Sequence, residues 1–286
     1  MSKEGVSIII PTYNRAKSLE RVLPSYLDQK YVREIIIVDD GSIDDTEEVI
    51  KKFDNKIHYI RHVGNNGLPA ARNTGIKHAT SDFVFFGEDD IELFDECIQN
   101  LVNSYIKLQN QDIKVGAVAS KLLRKDNYSK LKGQKNVYAY MSPFTGELYF
   151  DYGIDSKETI EVPFAHASCL IPRKLFNEVG HFDSKNYIGN YWREETDFQF
   201  RLRRRGYKIF YEPKAVMMHH ADQMGGSYSS YKGLFSGLKH EYYTIHNHTI
   251  FLLKNMGYKF LYMSPFFIAK RILNIIYFQI KRVMKF

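Results

Sequence analysis

Gly5 to Ile10 is an unbroken apolar, β-branched run that stops at Pro11, and Ile35 to Val38 is a second that stops at Asp39-Asp40-Gly41-Ser42. Short apolar runs bounded by turn residues predict strands buried on both faces, as in a parallel sheet. Between them, Arg15 to Leu27 places Leu19, Val22, Leu23, Tyr26 and Leu27 at helical spacing, which supplies the crossover that a parallel pair requires. The pattern then repeats as helix over Asp44 to Phe53, strand over Ile57 to Ile60, helix over Leu68 to Ala79 and strand over Phe83 to Phe86. Strands alternating with helices predict an α/β, doubly wound, mostly parallel sheet flanked by helices, with ligands above its carboxyl edge.

Further along, Asp95 to Gln109 reads as a helix and Val115 to Ser120 as a strand. The rhythm breaks over 121–162, where a basic stretch precedes an aromatic-rich one containing Ser142-Pro143 and Thr145-Gly146; an irregular hairpin is expected, either shaping an acceptor site or packing its rings on the sheet. Order returns with a strand over Ala165 to Ile171, a helix ending at Val179, a helix from Glu194 to Arg205, and strands over Ile209 to Tyr211 and Ala215 to Met218. From Leu234 the pattern is helical. The chain thus divides into 1–226, with halves 1–120 and 121–226, and a C-terminal helical extension, 227–286.

Candidate chemistry gathers at strand ends. Within Asp82 to Leu93, three consecutive carboxylates, Glu88, Asp89 and Asp90, directly follow an apolar strand. Adjacent carboxylates repel and lose hydration on burial, so a site holding them together normally has a cation to offset both. Two more polar turns, Pro11-Thr12-Tyr13-Asn14-Arg15 and Asp39-Asp40-Gly41-Ser42, end the first two strands. Each alone is ordinary turn chemistry, but three at matching strand ends point to a nucleoside pocket, where a tyrosine can stack on a base and an aspartate can accept from a base N–H. Asn66-Gly67 then opens a helix whose free N–H groups suit a phosphate, and Arg72, one turn in, adds a cation.

These motifs, with Asp44 to Thr46 and Ala71-Arg72-Asn73-Thr74-Gly75, resemble those of the family 2 inverting glycosyltransferases, which have the GT-A fold, a Rossmann-like sheet. The resemblance implies that Tyr13 and Asp40 hold the nucleotide base, that Asp89 contacts the ribose or donor sugar, and that Asp90 binds a divalent metal, Mn²⁺ or Mg²⁺. Pro11, Thr12, Asn14, Arg15, Gly67 and Arg72 fall on the donor side. Glu88 stands where many members have aspartate, a departure that leaves its share in metal binding open, and it is counted with the donor residues. Gly180-His181-Phe182-Asp183 also looks like the family.

A second centre is Trp192-Arg193-Glu194-Glu195-Thr196-Asp197. Its acids can complement the helix macrodipole and pair with arginines one turn on. Inverting transfer needs one ionised carboxylate to take a proton from the acceptor hydroxyl as that oxygen attacks the anomeric carbon. By resemblance this base is Glu195, with Glu194, Asp197 and Trp192 on the acceptor side. Family members often have a metal-ligating histidine where His219-His220 stands; the register favours His219 and leaves His220 open. Carboxylate plus imidazole suits Mn²⁺ at least as well as Mg²⁺. Gly225-Gly226 and Ser227 to Tyr231 are expected as a flap over the donor.

Charge changes the picture at the C-terminus. The chain of 286 residues carries a net +7, and from Lys254 onward there are Lys254, Lys259, Lys270, Arg271, Lys281, Arg282 and Lys285 with no acid, which leaves 33 bases against 33 acids in the body. Over Ser264 to Phe286 the polar positions interrupt an apolar run before it reaches spanning length, the pattern of an amphipathic basic helix that either docks on an anionic membrane or packs on the domain. A nucleic-acid binder is disfavoured, because the tail is apolar between its charges and the acidic clusters would repel phosphates. Two cysteines, Cys97 and Cys169, are too few for a disulfide framework. With no signal-peptide pattern at the N-terminus, the expected location is cytoplasmic, with peripheral contact to the inner membrane face through 264–286. The expected function is sugar transfer from a UDP, GDP or dTDP sugar to a carbohydrate or lipid-linked acceptor for cell-surface polysaccharide or glycolipid assembly. The alternative is a non-catalytic nucleotide-sugar or carbohydrate-binding protein of the same fold.

Overall fold

The apolar runs assemble as expected. The computed structural model describes residues 5–53, 57–124, 139–151, 153–220 and 236–283. β1 (Val6–Thr12), β2 (Val32–Asp39), β3 (Ile57–Arg61) and β4 (Phe83–Phe86) are parallel, joined by the helices α1 (Ala16–Leu27), α2 (Thr46–Ile50) and α3 (Leu68–His78). After β4 come β5 (Ile91–Leu93), α4 (Cys97–Gln109), β6 (Val115–Arg124), a small hairpin of β7 (Ala139–Met141) and β8 (Leu148–Phe150), β9 (Ile160–Val162) and β10 (Cys169–Pro172). α5 (Leu175–Val179), α6 (Glu194–Arg204) and β11 (Lys208–His219) lead to α7 (Ser236–Asn255) and α8 (Phe260–Val283). The described sheet has the order β3-β2-β1-β4-β10-β6-β11-β5, with β9 beside β11.

Period-two alternation divides the core into two layers. Ile8, Ile10, Ile35, Ile37 and Phe85 pack under α1 and α4 with Leu19, Leu23, Cys97 and Leu101. Ile9, Ile36, Val84 and Phe86 face the other way onto Ala71 of α3, Cys169, Phe176 of α5 and Phe198 of α6. Parallel pairing runs through β1 to β4 and returns between β6 and β11. β10 is antiparallel to both β4 and β6, since the chain reaches it from β6 without a described crossover helix.

Several boundaries differ from the sequence expectation for identifiable reasons. α2 begins at Thr46, because Asp44 anchors the preceding turn: one oxygen accepts from Thr46 N–H (3.2 Å) and the other from Ala16 N–H (3.0 Å). The strand expected from Ala165 begins at Cys169, because the Gln199 side chain takes the backbone of Ala165 at 2.7 Å. The two strands expected around Pro213 are one, β11, with a register shift between Glu212 and Val216. The expected flap over 225–231 and most of the basic stretch, 125–135, lie outside the described residues.

The extension packs on the domain. Phe251, Leu252 and Met263 form a core with Tyr187, and Phe200 of α6 packs against it. Asn247 bonds both N–H (2.9 Å) and C=O (2.8 Å) of Ile188, and Lys254 reaches Asp183. Lys270 and Arg271, within the stretch expected either to dock on an anionic membrane or to pack on the domain, pair with Glu147 and Glu241. Leu261, Phe266, Ile272, Leu273 and Ile276 are left exposed at helical spacing. No described helix is long and apolar enough to cross a membrane.

His248, fully buried on α7, joins this extension to the hairpin and to α6. Its Nε2–H donates to Thr145 C=O (2.8 Å) and its Nδ1 accepts from Arg193 Nε (3.3 Å), which fixes the neutral ring. Burial, with Arg193 adding to it, pushes its pKa down to about 3 from 6.5. Below pH 6.5 the unfolded chain therefore takes up a proton that the folded chain refuses, and stability falls with pH down to the folded value. Between pH 6.5 and 5 this residue should account for a loss of about 2 kcal/mol. Urea unfolding of the wild type and His248→Gln at both values checks it; an equal pH loss in both would remove His248 as the cause.

Candidate active site

β1, β2 and β4 end at one edge of the sheet. Because β10 is antiparallel to both β4 and β6, and β11 is parallel to β6, β11 points the same way and delivers His219 to that edge as well. The strand ends surround a cleft of about 440 Å³ lined by Pro11, Thr12, Tyr13 and Arg15, by Asp40, by Gly67 and Arg72, by Glu88, Asp89 and Asp90, and by His219. Asn14 alone of the expected donor residues stays out of this lining. At φ 53° it clamps two turns together, its N–H donating to Ser42 Oγ (2.9 Å) and its Oδ1 accepting from Ile43 N–H (2.8 Å).

The acidic triplet is buried and neutralised by residues distant in sequence. Arg15 donates to Asp89 (3.0 Å) and Asp90 (2.6 Å), and Thr12 Oγ1 donates to Asp89 at 2.9 Å. Burial pushes the Asp89 carboxyl up to about 7 against these partners. Burial acts on Asp90 in the same direction, but His219 and Arg15 overcome it and hold Asp90 at about 2. Glu88 is raised, by burial first and then by Asp90. His219 Nε2 faces Asp90 at 3.4 Å, while its buried Nδ1 has no hydrogen-bond partner among the described residues. The strand alternation sends His220 the other way, to Glu92 at 2.9 Å.

Ligand atoms of Glu88, Asp90 and His219 all lie within 4.8 Å of one another. Two carboxylates and an imidazole so placed fit a divalent ion such as Mn²⁺. Glu88 thus stands with Asp90 and His219, where the sequence had counted it on the donor side.

The loop ahead of α3 is built around Asp40. Its Oδ1 accepts from Asn66 N–H (2.9 Å) and bonds His62 Nδ1 (2.7 Å), while Oδ2 accepts from Gly67 N–H (2.7 Å). Gly67 caps α3 at φ +91°, and a Cβ there would lie 2.1 Å from the Tyr191 hydroxyl oxygen. Only glycine allows both this backbone and this contact.

α6 brings in the second acidic group with Arg193 as a left-handed N-cap residue (φ 84°). Glu194 is 1% exposed and forms an ion pair with Arg72, itself 3% exposed, so two residues expected on opposite sides of the reaction are joined. Glu195 is half-buried and, like Glu194, outside the cleft lining, in the field of Arg72, which is part of that lining. Asp197 is fully buried and outside the cleft lining, held by Arg201 (3.1 Å) and Asn255 (2.9 Å). Its expected place beside the acceptor gives way to a structural one, because no face of it reaches the cleft. Trp192 is also outside the lining; its ring lies under the Arg193 guanidinium (3.7 Å) and stacks on His248 (5.5 Å).

The glycosyl transferase family 2 sequence model matches residues 7–180, well over half of the chain. The chain belongs to this family. Among curated relatives, an uncharacterized glycosyltransferase of Rickettsia typhi is 31% identical over 196 residues, covering 65% of this chain and 56% of its own length. The poly-beta-1,6-N-acetyl-D-glucosamine synthase of Staphylococcus aureus is 28% identical over 216 residues, covering 74% of this chain and 49% of its own. The chain therefore spans about half the length of the curated relatives it matches. Two solved structures share the fold. GalNAc-T7 with UDP, GalNAc and Mn²⁺ has a TM-score of 0.63 at 15% identity, over 87% of this chain and 48% of that one. Staphylococcus aureus TarS 1–349 in complex with UDP-GlcNAc has 0.57 at 19%, over 87% and 66%. The GT-A expectation is met.

Sequence reading missed Tyr191, Lys239, Tyr243 and Gly189, all of which line the cleft, and His62 behind it. Tyr191 adjoins a stretch already singled out, but the others belong to no motif. The Arg72–Glu194 pair has a measurable consequence. Arg72→Met leaves Glu194 buried without its cation and should cost about 3–5 kcal/mol, whereas adding Glu194→Gln should recover part of the loss. A double-mutant cycle by urea unfolding checks this; purely additive effects would show that the two side chains do not interact.

Proposed function

We propose that this chain transfers a sugar, with inversion, from a nucleoside-diphosphate sugar to an acceptor hydroxyl in the assembly of a cell-surface glycan or glycolipid. The observation that carries this reading is the convergence, in one cleft of a family 2 domain, of Glu88, Asp89, Asp90 and His219 with Tyr13 and the N-terminus of α3. The Staphylococcus aureus relative is a polysaccharide synthase by name, and the two solved structures are complexes with UDP-GlcNAc and with UDP, GalNAc and Mn²⁺. These support UDP as the first donor to test, ahead of GDP and dTDP.

In this reading Tyr13 stacks on the base, and Asp40 holds the Asn66-Gly67 loop while accepting from the base. Asp89, tied to Thr12 and Arg15, meets the ribose or donor sugar. A divalent ion bound by Glu88, Asp90 and His219 would supply charge compensation for the diphosphate. Glu195 takes the acceptor hydroxyl's proton as that oxygen bonds the anomeric carbon, and the bond from that carbon to the diphosphate oxygen breaks with its electron pair. Glu194 through Arg72, and Asp197 through Asn255, position the first turn of α6.

Turnover of UDP, GDP and dTDP sugars with Mn²⁺ tests this, using glycan and lipid-linked acceptors. Glu195→Gln should keep donor affinity and lose roughly 10²–10⁴-fold in turnover. No turnover on any donor would favour a binding protein, and near-normal turnover in the variant would move the base elsewhere.

The exposed apolar stripe of α8 supports peripheral membrane contact and hence a lipid-linked acceptor. With Lys270 and Arg271 paired inward, apolar burial supplies most of the attraction. Leu273→Glu with Phe266→Glu should abolish flotation with liposomes while leaving the melting temperature unchanged, and wild-type flotation should be little affected by salt. Absence of flotation in the wild type would limit α8 to its packing role.

A further inference from the structure

Two side chains of the cleft wall come from the C-terminal extension: Lys239 and Tyr243, on successive turns of α7. Tyr243 is seated on Gly189, where a Cβ would come within 2.2 Å of its ring and where φ is +66°. Two residues on, Tyr191 is seated on Gly67 in the same way. A continuous series of contacts therefore runs from the donor loop through the segment before α6 to the first turns of α7, and it fixes the start of α7 beside the cleft.

The charges of the cleft single out Lys239. Three carboxylates form its floor, and a bound diphosphate would add more negative charge. Of the lysine and arginine side chains that line it, Arg15 is committed to Asp89 and Asp90, and Arg72 to Glu194. Lys239 is exposed and pairs with no carboxylate among the described residues; its ammonium lies 5.8 Å from the Tyr243 ring centroid. A cation fixed over an aromatic ring and facing an acidic cleft suits an anionic ligand that enters with its own charge.

We propose that Lys239 is a donor-side catalytic residue supplied by the extension, binding the diphosphate of the nucleotide sugar and stabilising it as it leaves, with Tyr243 holding the ammonium in place. This rests on the transferase reading above. When the bond from the anomeric carbon to the diphosphate oxygen breaks, its electron pair stays on that oxygen, and the acceptor's proton goes to Glu195. Lys239 transfers no proton and forms no covalent bond; it offsets charge that accumulates on the leaving group. The extension then completes the active site as well as packing against it.

Calorimetric titration of the full chain decides this, with Mn²⁺ and with UDP, GDP and dTDP each compared with its monophosphate. Lys239→Met should weaken the preferred diphosphate roughly tenfold or more, leave the monophosphate unchanged and lower kcat on the matching sugar nucleotide roughly 10- to 100-fold, with Lys239→Arg recovering most of both. Melting curves should coincide, since the side chain is exposed. Wild-type affinity and turnover in Lys239→Met would overturn the assignment while leaving the transferase reading in place. Equal losses for mono- and diphosphates would also overturn it, because the lysine would then act at a distance on any anion. A wild type that binds no nucleotide would remove both readings together.

Discussion

Three adjacent carboxylates cannot be buried at a strand end unless their repulsion and lost hydration are met by opposite charge and hydrogen bonds. In this chain the partners come from far away in sequence. Thr12 and Arg15 enter from β1, and His219 arrives at the end of β11 after most of the domain has been laid down. The carboxyl edge of the sheet is where these segments can meet, so the order of the strands and the electrostatics of the cleft constrain each other. A change of register that moved β11 by one residue would replace His219 by a neighbour facing away, as His220 does.

The same logic extends outward through further pairs. Asp40 fastens the Gly67 loop, Arg72 on the following helix fastens Glu194 of α6, and Asp197 one turn on fastens Asn255 of α7. Buried pairs of this kind add little net stability over well-packed apolar groups, but breaking one leaves a stranded charge, so they specify arrangement more than they strengthen it. The loop before α3, helix α6 and the extension are thereby held in one arrangement.

The elements of the first half were readable because runs such as Ile8 to Ile10 and Phe83 to Phe86 are buried on both faces, and their turns carry recognisable polar residues. Elements failed where a side chain intervened in the backbone: Asp44 shortened α2, and Gln199 delayed β10. Within the candidate site, the acidic triplet could be named because adjacent carboxylates at a strand end have a chemical signature, and His219 because its place in the chain resembles that of a family histidine. Lys239, Tyr243 and His62 could not, since what distinguishes them is proximity across more than a hundred residues or to a loop with no motif. The charge of α8 was visible but its direction was not. Lys270 and Arg271 look identical in sequence whether they meet lipid headgroups or Glu147 and Glu241.

The two cysteines lie in opposite layers of the core, Cys97 at the start of α4 in the layer it shares with α1, and Cys169 among the side chains of α3, α5 and α6. Both are buried, and burial raises both thiols well above their ordinary range, so neither reacts while its layer is closed. Each thiol is thus a built-in clock for one side of the sheet. Pulsed alkylation followed by mass analysis would time the opening of the two layers separately, and would show whether nucleotide slows only the side that carries α3.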